Sequence, residues 1–299
     1  MCKLLSFNKN CVRIKKEQDV TVLSFIPLEK YDLIQGFSTK LGGVSKGDCA
    51  TMNLSFSRGD DYDDVKTNHL RLAGALGYNV DDLVLTKQVH GDVVQIVGKE
   101  YTGEVFDNDR KIKDTDALVT NESGVVLMSL VADCVPILLY DPFKKVIANI
   151  HSGWRGTALM IGKKAVEKMV DNFASDPKDI IGIIGPSICE KCYEISLDLY
   201  HDFSKNFTAE DLKKIFIDNE GDTIDQNMIN NRSSEELKNM HAKLDLWRAN
   251  EIVLHKAGLA DDNIYISGVC TCCNHELLFS HRYTKGRRGN LAAVIGMPG

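Results

Sequence analysis

Runs of consecutive apolar residues dominate the chain. The runs DLVLTKQVH (82–90), DVVQIV (92–97), VVLMSLVA (125–132), PILLYD (136–141), KVIANIH (145–151), DIIGIIG (179–185), NIYISGV (263–269) and LAAVIGM (291–297) predict strands. Several are apolar at successive positions, the pattern of a sheet covered on both faces. Two stretches follow the helical period instead. After Gly156, residues Leu159, Ala165, Val166, Met169, Val170 and Phe173 fall on one stripe. In DLWRANEIVLHKAGL, Leu246, Ala249, Ile252, Val253 and Lys256 stay in near-helical register until Gly258 ends the helix. Strands mixed with a few helices predict a layered, mixed-sheet α/β protein forming a single domain over 1–299. The stretch 202–240 is polar and charged with scattered apolar positions, and reads as a helical insertion or a mobile excursion.

Composition sets the outer bounds. With 299 residues, 43% hydrophobic and 26% charged, the chain can bury a substantial core in one domain. A net charge of −6 argues against nucleic acid as a partner, because binders of the phosphate backbone carry a basic excess. The longest apolar stretch, VVLMSLVADCVPILLY, is interrupted by Asp133 and Pro136, and the first residues hold no apolar segment of secretion-signal length. A cytoplasmic protein without a membrane partner is expected. Nine cysteines in such a chain suggest reduced thiols, metal ligands or a nucleophile before a disulfide framework.

Three apolar segments end in, or are broken by, a group able to bind a metal: His90, Cys134 and His151, 44 and 17 residues apart. Those gaps are far wider than the spacing of zinc fingers and fit a site assembled from separate strands. One thiolate and two imidazoles suit Zn²⁺, and three protein ligands leave a fourth position open, as in catalytic sites. Asp133 beside Cys134 would by repulsion raise the thiol pKa, so a thiolate there calls for a compensating cation. The plain alternative is a core cysteine and hydrogen-bonded strand-end histidines.

The turn after His151, SGWRG, adds Arg155 between Gly153 and Gly156, ahead of a predicted helix, and suits anion binding. The glycine turn GFSTKLGGVSKG and the following MNLSFSRGDD contribute Lys40, Asn53 and Arg58 as candidate phosphate or substrate contacts. A hairpin with solvated basic residues reads equally well. CEKC (189–192) and CTCC (270–273) could meet in a second, structural zinc site, although one Cys-X-X-Cys beside an irregular partner is weaker than two matched pairs, and spare thiols are the alternative.

Taken in order, FSTKLGGVS, MNLSFSRGDD, KQVHGDVV, TDALVT, ADCVPILLYDP, IANIHSGWRGT, GPSICEKCYEI and TCCNHELLFSHRYTKGRRG resemble the laccase-domain or polyphenol oxidase family, also called the YfiH family of purine nucleoside phosphorylases. The resemblance runs from about residue 34 to the last residue. It implies a single α/β domain with zinc on His90, Cys134 and His151. It also implies phosphorolysis of adenosine, inosine, guanosine or methylthioadenosine, and deamination of adenosine, with purine nucleosides and phosphate as partners. The family usually has Arg where this chain has Lys40, which keeps the charge and loses the bidentate fork. Copper is the less favoured metal: multicopper oxidases draw on many imidazoles in His-X-His pairs, and this chain has eight histidines and no such pair. Two other readings stay open at this stage. One is a metal-free cysteine hydrolase acting on an amide such as a cell-wall precursor peptide, with Cys134 as nucleophile and His151 or His90 as base. The other is a binding protein with a vestigial site.

Overall fold

A computed structural model of the chain describes residues 8, 10–107, 110–218, 220–224 and 226–299. Two six-stranded sheets lie back to back. The first runs in the order β1 (Val12–Glu17), β2 (Val20–Phe25), β3 (Ile34–Ser38), β15 (Leu291–Met297), β7 (Val125–Val131) and β4 (Leu83–Leu85). The second runs β14 (Ile264–Ile266), β10 (Ile181–Ile184), β8 (Val135–Asp141), β9 (Val146–Ser152), β6 (Ala117–Thr120) and β5 (Val94–Ile96). Both are mixed: β4 lies parallel to β7, β10 to β14 and β5 to β6, while the other pairs are antiparallel. A small third sheet joins β11 (Glu194–Ser196), β13 (His241–Leu244) and β12 (Phe216–Ile217).

Burial on both faces explains the continuous apolar runs. In β8, Val135, Ile137 and Leu139 pack outward against helices while Leu138 and Tyr140 pack toward the first sheet, and all seven residues of the strand are buried. Asn149 on β9 ties the sheets together, its side-chain amide donating to the carbonyls of Leu127 and Ala293, each at 2.9 Å. The outer face of the second sheet is covered by α3 (Ile161–Phe173) and α8 (Leu246–Lys256), and the outer face of the first by α1 (Tyr62–Leu76). The helix predicted to run on from Gly156 is two: α2 (Trp154–Ala158) stops, Met160 turns left-handed at φ 63°, and α3 begins.

The patterning misses α1 because its inner face carries Asn68 and His69, both fully buried, which blur the apolar stripe of Val65, Leu72 and Ala73. Asp61 caps its first turn, and Gly77 at φ 76° ends it. The polar stretch 202–240 holds α4 (Tyr200–Phe203), α5 (Ala209–Ile215), α6 (Gln226–Asn230) and α7 (Ser234–Asn239). Its described apolar residues Phe203, Phe207, Leu212, Ile215, Phe216 and Leu237 are buried in the outer core. The last helix, α9 (His281–Thr284), leads into β15. Among the described residues, no helix is long and apolar enough to cross a membrane.

Candidate metal and anion site

The site forms where the β7–β8 turn, the end of β9 and the loop after β4 meet. Cys134 stands in the turn between β7 and β8, half-buried. Asp133 before it takes φ 87°, and its carboxylate accepts from the Thr271 hydroxyl and the Arg282 N–H, both at 2.6 Å. His151 lies on β9 opposite Pro136 and is buried. His90 is not on a strand: β4 stops at Leu85, correcting the strand expected over 82–90, and His90 sits in the following loop at φ 61°.

One carboxylate places both imidazoles. Asp116, at the mouth of β6, accepts the N–H groups of His90 (3.0 Å), Gly91 (2.8 Å) and Val89 (3.2 Å) and lies 2.7 Å from His151 Nδ1. Its main-chain carbonyl accepts the His151 N–H at 2.7 Å. The Gln88 side chain pins the same loop to Leu130 of β7 through two bonds of 2.8 and 2.7 Å. The rings of His90 and His151 meet edge to face at 4.7 Å, and the donor atoms of His90, Cys134 and His151 lie within 4.8 Å of one another.

These contacts set the charges. Burial would push the Cys134 thiol up, but the adjacent His151 and His90 imidazoles outweigh it and bring the thiol to about 6. Burial opposes charge on His151, yet the Cys134 thiolate and Asp116 raise it to about 9. Asp116 is itself held below the usual carboxylate range, because His151 and the N–H groups of Gly91 and Val89 overcome its burial. The rise expected at Cys134 from Asp133 therefore does not prevail; that carboxylate is engaged by Thr271 and Arg282.

The donor set fits one divalent ion. A thiolate and two imidazoles converge, and Asp116 occupies Nδ1 of His151, which leaves Nε2 as its free lone pair, the usual carboxylate–histidine–metal arrangement. Gly153 leaves the space clear: a Cβ there would sit 3.0 Å from His90 Cδ2 and 3.3 Å from Cys134 Sγ.

A cavity of roughly 330 Å³ opens beside the three donors, and His90, Cys134 and His151 all line it. Its wall is basic, with Arg58, Arg110, Arg288 and Lys87, and no described carboxylate lines it. Arg58 Nε donates to Asn290 Oδ1 at 2.9 Å and Arg288 Nη1 donates to the same oxygen, so two guanidinium groups converge. Burial, and then Arg58, lowers Arg288 to about 10, still charged at neutral pH. The Nε atoms of Arg110 and Arg288 are buried and have no hydrogen-bond partner among the described residues. Phe56 also lines the cavity, with its ring stacked on His69 at 5.5 Å.

Of the residues read from sequence as substrate contacts, only Arg58 lines this cavity. The Lys40 ammonium donates to the His275 carbonyl at 2.7 Å. Asn53 is fully buried and binds Ser55, Asp60 and Asn290. Arg155 is exposed and lies over the Trp154 ring at 4.3 Å. Sequence reading overlooked Asp116, Arg288, Arg110 and Lys87. Asp116 opens the apolar run TDALVT and Arg288 closes the Arg pair between Gly286 and Gly289, signals that mark a position without revealing what it faces.

Residues 34–298 match the family model described as "Multi-copper polyphenol oxidoreductase laccase". The chain is 37% identical over 262 residues to a purine nucleoside phosphorylase of Deinococcus radiodurans, covering 88% of each chain. It is 33% identical to an adenosine deaminase from an unknown prokaryotic organism, over 86% of this chain and 94% of that one. The crystal structure of YlmD from Geobacillus stearothermophilus superposes with a TM-score of 0.84 at 32% identity, covering 96% of this chain and 99% of that one.

Proposed function

The chain belongs to the multi-copper polyphenol oxidoreductase laccase family, and we propose that this member is a zinc-dependent purine nucleoside phosphorylase. The observation that carries the reading is a single cavity in which His90, Cys134 and His151 face the converging guanidinium groups of Arg58 and Arg288. When held by those three ligands, zinc supplies Lewis-acid polarisation of a substrate oxygen at the cavity wall.

The chain's own residues would do the rest. Arg58 and Arg288, oriented by Asn290, present charge-assisted donors to inorganic phosphate, and a bound anion relieves the repulsion between them. Arg110 and Lys87 add positive charge on the same wall. A phosphate oxygen so held attacks the anomeric carbon, the glycosidic C–N bond breaks, and the purine leaves with its electron pair and takes up a proton. Phe56, backed by His69, offers the cavity an aromatic face for the base.

Deamination of adenosine is the subordinate activity, supported by the relative named as an adenosine deaminase. Zinc deaminases use a Glu as general acid and base, and among the described residues that line the cavity there is no Glu or Asp. The copper oxidase suggested by the family description finds less support. Of the described clusters able to hold a metal, one contains histidine, and it contributes two imidazoles. The metal-free cysteine hydrolase is favoured by one feature, the Cys134 thiol at about 6 beside His151 at about 9.

Incubating the purified protein with adenosine, inosine, guanosine or methylthioadenosine, with and without phosphate, and following free base, ribose 1-phosphate and ammonia tests the reading. Phosphate-dependent base release that is lost in Cys134→Ala supports it. A zinc-free protein whose Cys134 is rapidly alkylated and which cleaves amides would replace it with the hydrolase.

A further inference from the structure

A second set of sulfurs closes on one point behind the Cys134 turn. Cys189 precedes and Cys192 ends the single turn 190–192, while Cys270 precedes and Cys273 lies within the turn 271–277 that follows β14. The sulfur atoms of these four residues lie within 4.8 Å of one another. Cys192 Sγ and Cys273 Sγ are 3.4 Å apart, and Cys189 Sγ and Cys273 Sγ 4.0 Å. A zinc ion bound by four thiolates at about 2.3 Å sets neighbouring sulfurs roughly 3.8 Å apart, between the two separations seen here.

The geometry also resolves the irregular look of CTCC. Cys272 is not one of the converging set, so the members are Cys189-X-X-Cys192 and Cys270-X-X-Cys273, two matched pairs of the spacing used by closed zinc sites. The backbone supports a thiolate as well: the N–H groups of Cys189 and Cys273 both donate to Cys270 Sγ, at 3.3 and 3.4 Å. Disulfide pairing would join the sulfurs two by two and would not call for all four around one centre.

We propose that Cys189, Cys192, Cys270 and Cys273 hold a structural zinc ion, separate from the ion assigned to His90, Cys134 and His151 and independent of the nucleoside reading. With four protein ligands the site is closed to substrate, so its role is to join two turns that are far apart in sequence. Both turns reach Asp133, the neighbour of Cys134. The Ile188 N–H donates to its carbonyl at 3.0 Å, and the Thr271 hydroxyl donates to its carboxylate at 2.6 Å. Zinc at the four cysteines thus fixes the wall against which the Cys134 turn is seated.

The test is metal quantification and zinc-edge X-ray absorption on the full chain. Wild type is expected to hold two zinc ions per chain. The double variant Cys134→Ser/His151→Ala is expected to keep one, with an all-sulfur shell at about 2.3 Å, and adding Cys192→Ser and Cys273→Ser should remove it and lower Tm. Should the quadruple variant fail to fold, titration of the double variant with an organomercurial must release its one zinc as the four thiols react. The proposal is overturned if the double variant binds no zinc while its thiols titrate freely. It is equally overturned if mass analysis of the unreduced protein shows the loss of two hydrogens per bond for disulfides among the four, or if the site contains iron with acid-labile sulfide.

Discussion

Asp116 and His151 are joined twice: carboxylate to Nδ1 at 2.7 Å, and main-chain carbonyl to the His151 N–H at 2.7 Å. The same carboxylate gathers the three N–H groups of the loop bearing His90. It thereby orients the His151 imidazole and positions the His90 loop. Asp116→Asn keeps the shape but weakens the hold on the Nδ1–H tautomer, and Asp116→Ala also frees the loop. We expect metal affinity to fall on the order of 10- to 100-fold, as for other carboxylates behind a ligating histidine, with Ala worse than Asn. Competition with a chromogenic chelator measures this.

Charge at Cys134 should be visible in the metal-free protein. Its pKa near 6, against an ordinary 9.0, makes it a thiolate at neutral pH. Alkylation rate against pH should therefore show a midpoint near 6 in apo wild type and move toward the ordinary value in His151→Ala, where the cation is gone. Zinc should suppress the reaction throughout. A midpoint near 9 in apo wild type would show that the imidazoles do not act on this sulfur.

Gly153 adopts φ −69° and ψ 174°, a conformation open to any residue, so Gly153→Ala carries no backbone penalty. Its new methyl would press on His90 and Cys134. We expect the fold and Tm to be nearly unchanged while metal binding loses about 1–3 kcal/mol from overpacking, measured by calorimetric titration of the apo protein. Unchanged affinity would mean the ligands do not close over Gly153.

Phosphate recognition should follow the cavity wall rather than the glycine turn. Arg288→Met removes a buried charge facing the cavity and is expected to raise KM for phosphate about tenfold or more, the worth of a charge-assisted hydrogen bond. Lys40→Met breaks a bond to the His275 carbonyl and should leave that KM within about twofold. Initial rates at varied phosphate separate the two, and the reverse ranking would restore the turn as the anion site.

His69 gives the fold an acid limit. It is fully buried with Nε2 on the Leu54 carbonyl at 2.9 Å, and burial lowers its pKa from 6.5 to about 4. Between those values the unfolded chain takes up a proton that the native state refuses. Stability from this group is therefore complete above about 6.5 and falls as pH drops toward 4, by up to about 3 kcal/mol. His69→Gln, which keeps a donor to Leu54, should flatten urea-midpoint slopes in that window.

How legible all this was in the sequence depended on how side chains are used. Runs such as VVLMSLVA and KVIANIH could be read because both faces of β7 and β9 are buried. Helix α1 could not, because Asn68 and His69 turn inward to bond with main-chain carbonyls. His90, Cys134 and His151 stood out in the sequence because residues of unlike chemistry interrupt apolar runs, and the fold brings their donor atoms within 4.8 Å of one another. Asp116 and Arg288 were not, since an acid before a strand and a paired arginine are ordinary until the fold shows what they face. Arg155 and Lys40 had the right charge, but the chain turns one onto Trp154 and the other onto His275.

The most direct test of the central claim is the product balance of zinc-loaded protein with inosine and inorganic phosphate. Hypoxanthine and ribose 1-phosphate are expected in equal amounts, dependent on phosphate and lost in Cys134→Ala. Fully zinc-occupied wild type that releases neither base nor ribose 1-phosphate from inosine or adenosine would contradict the account.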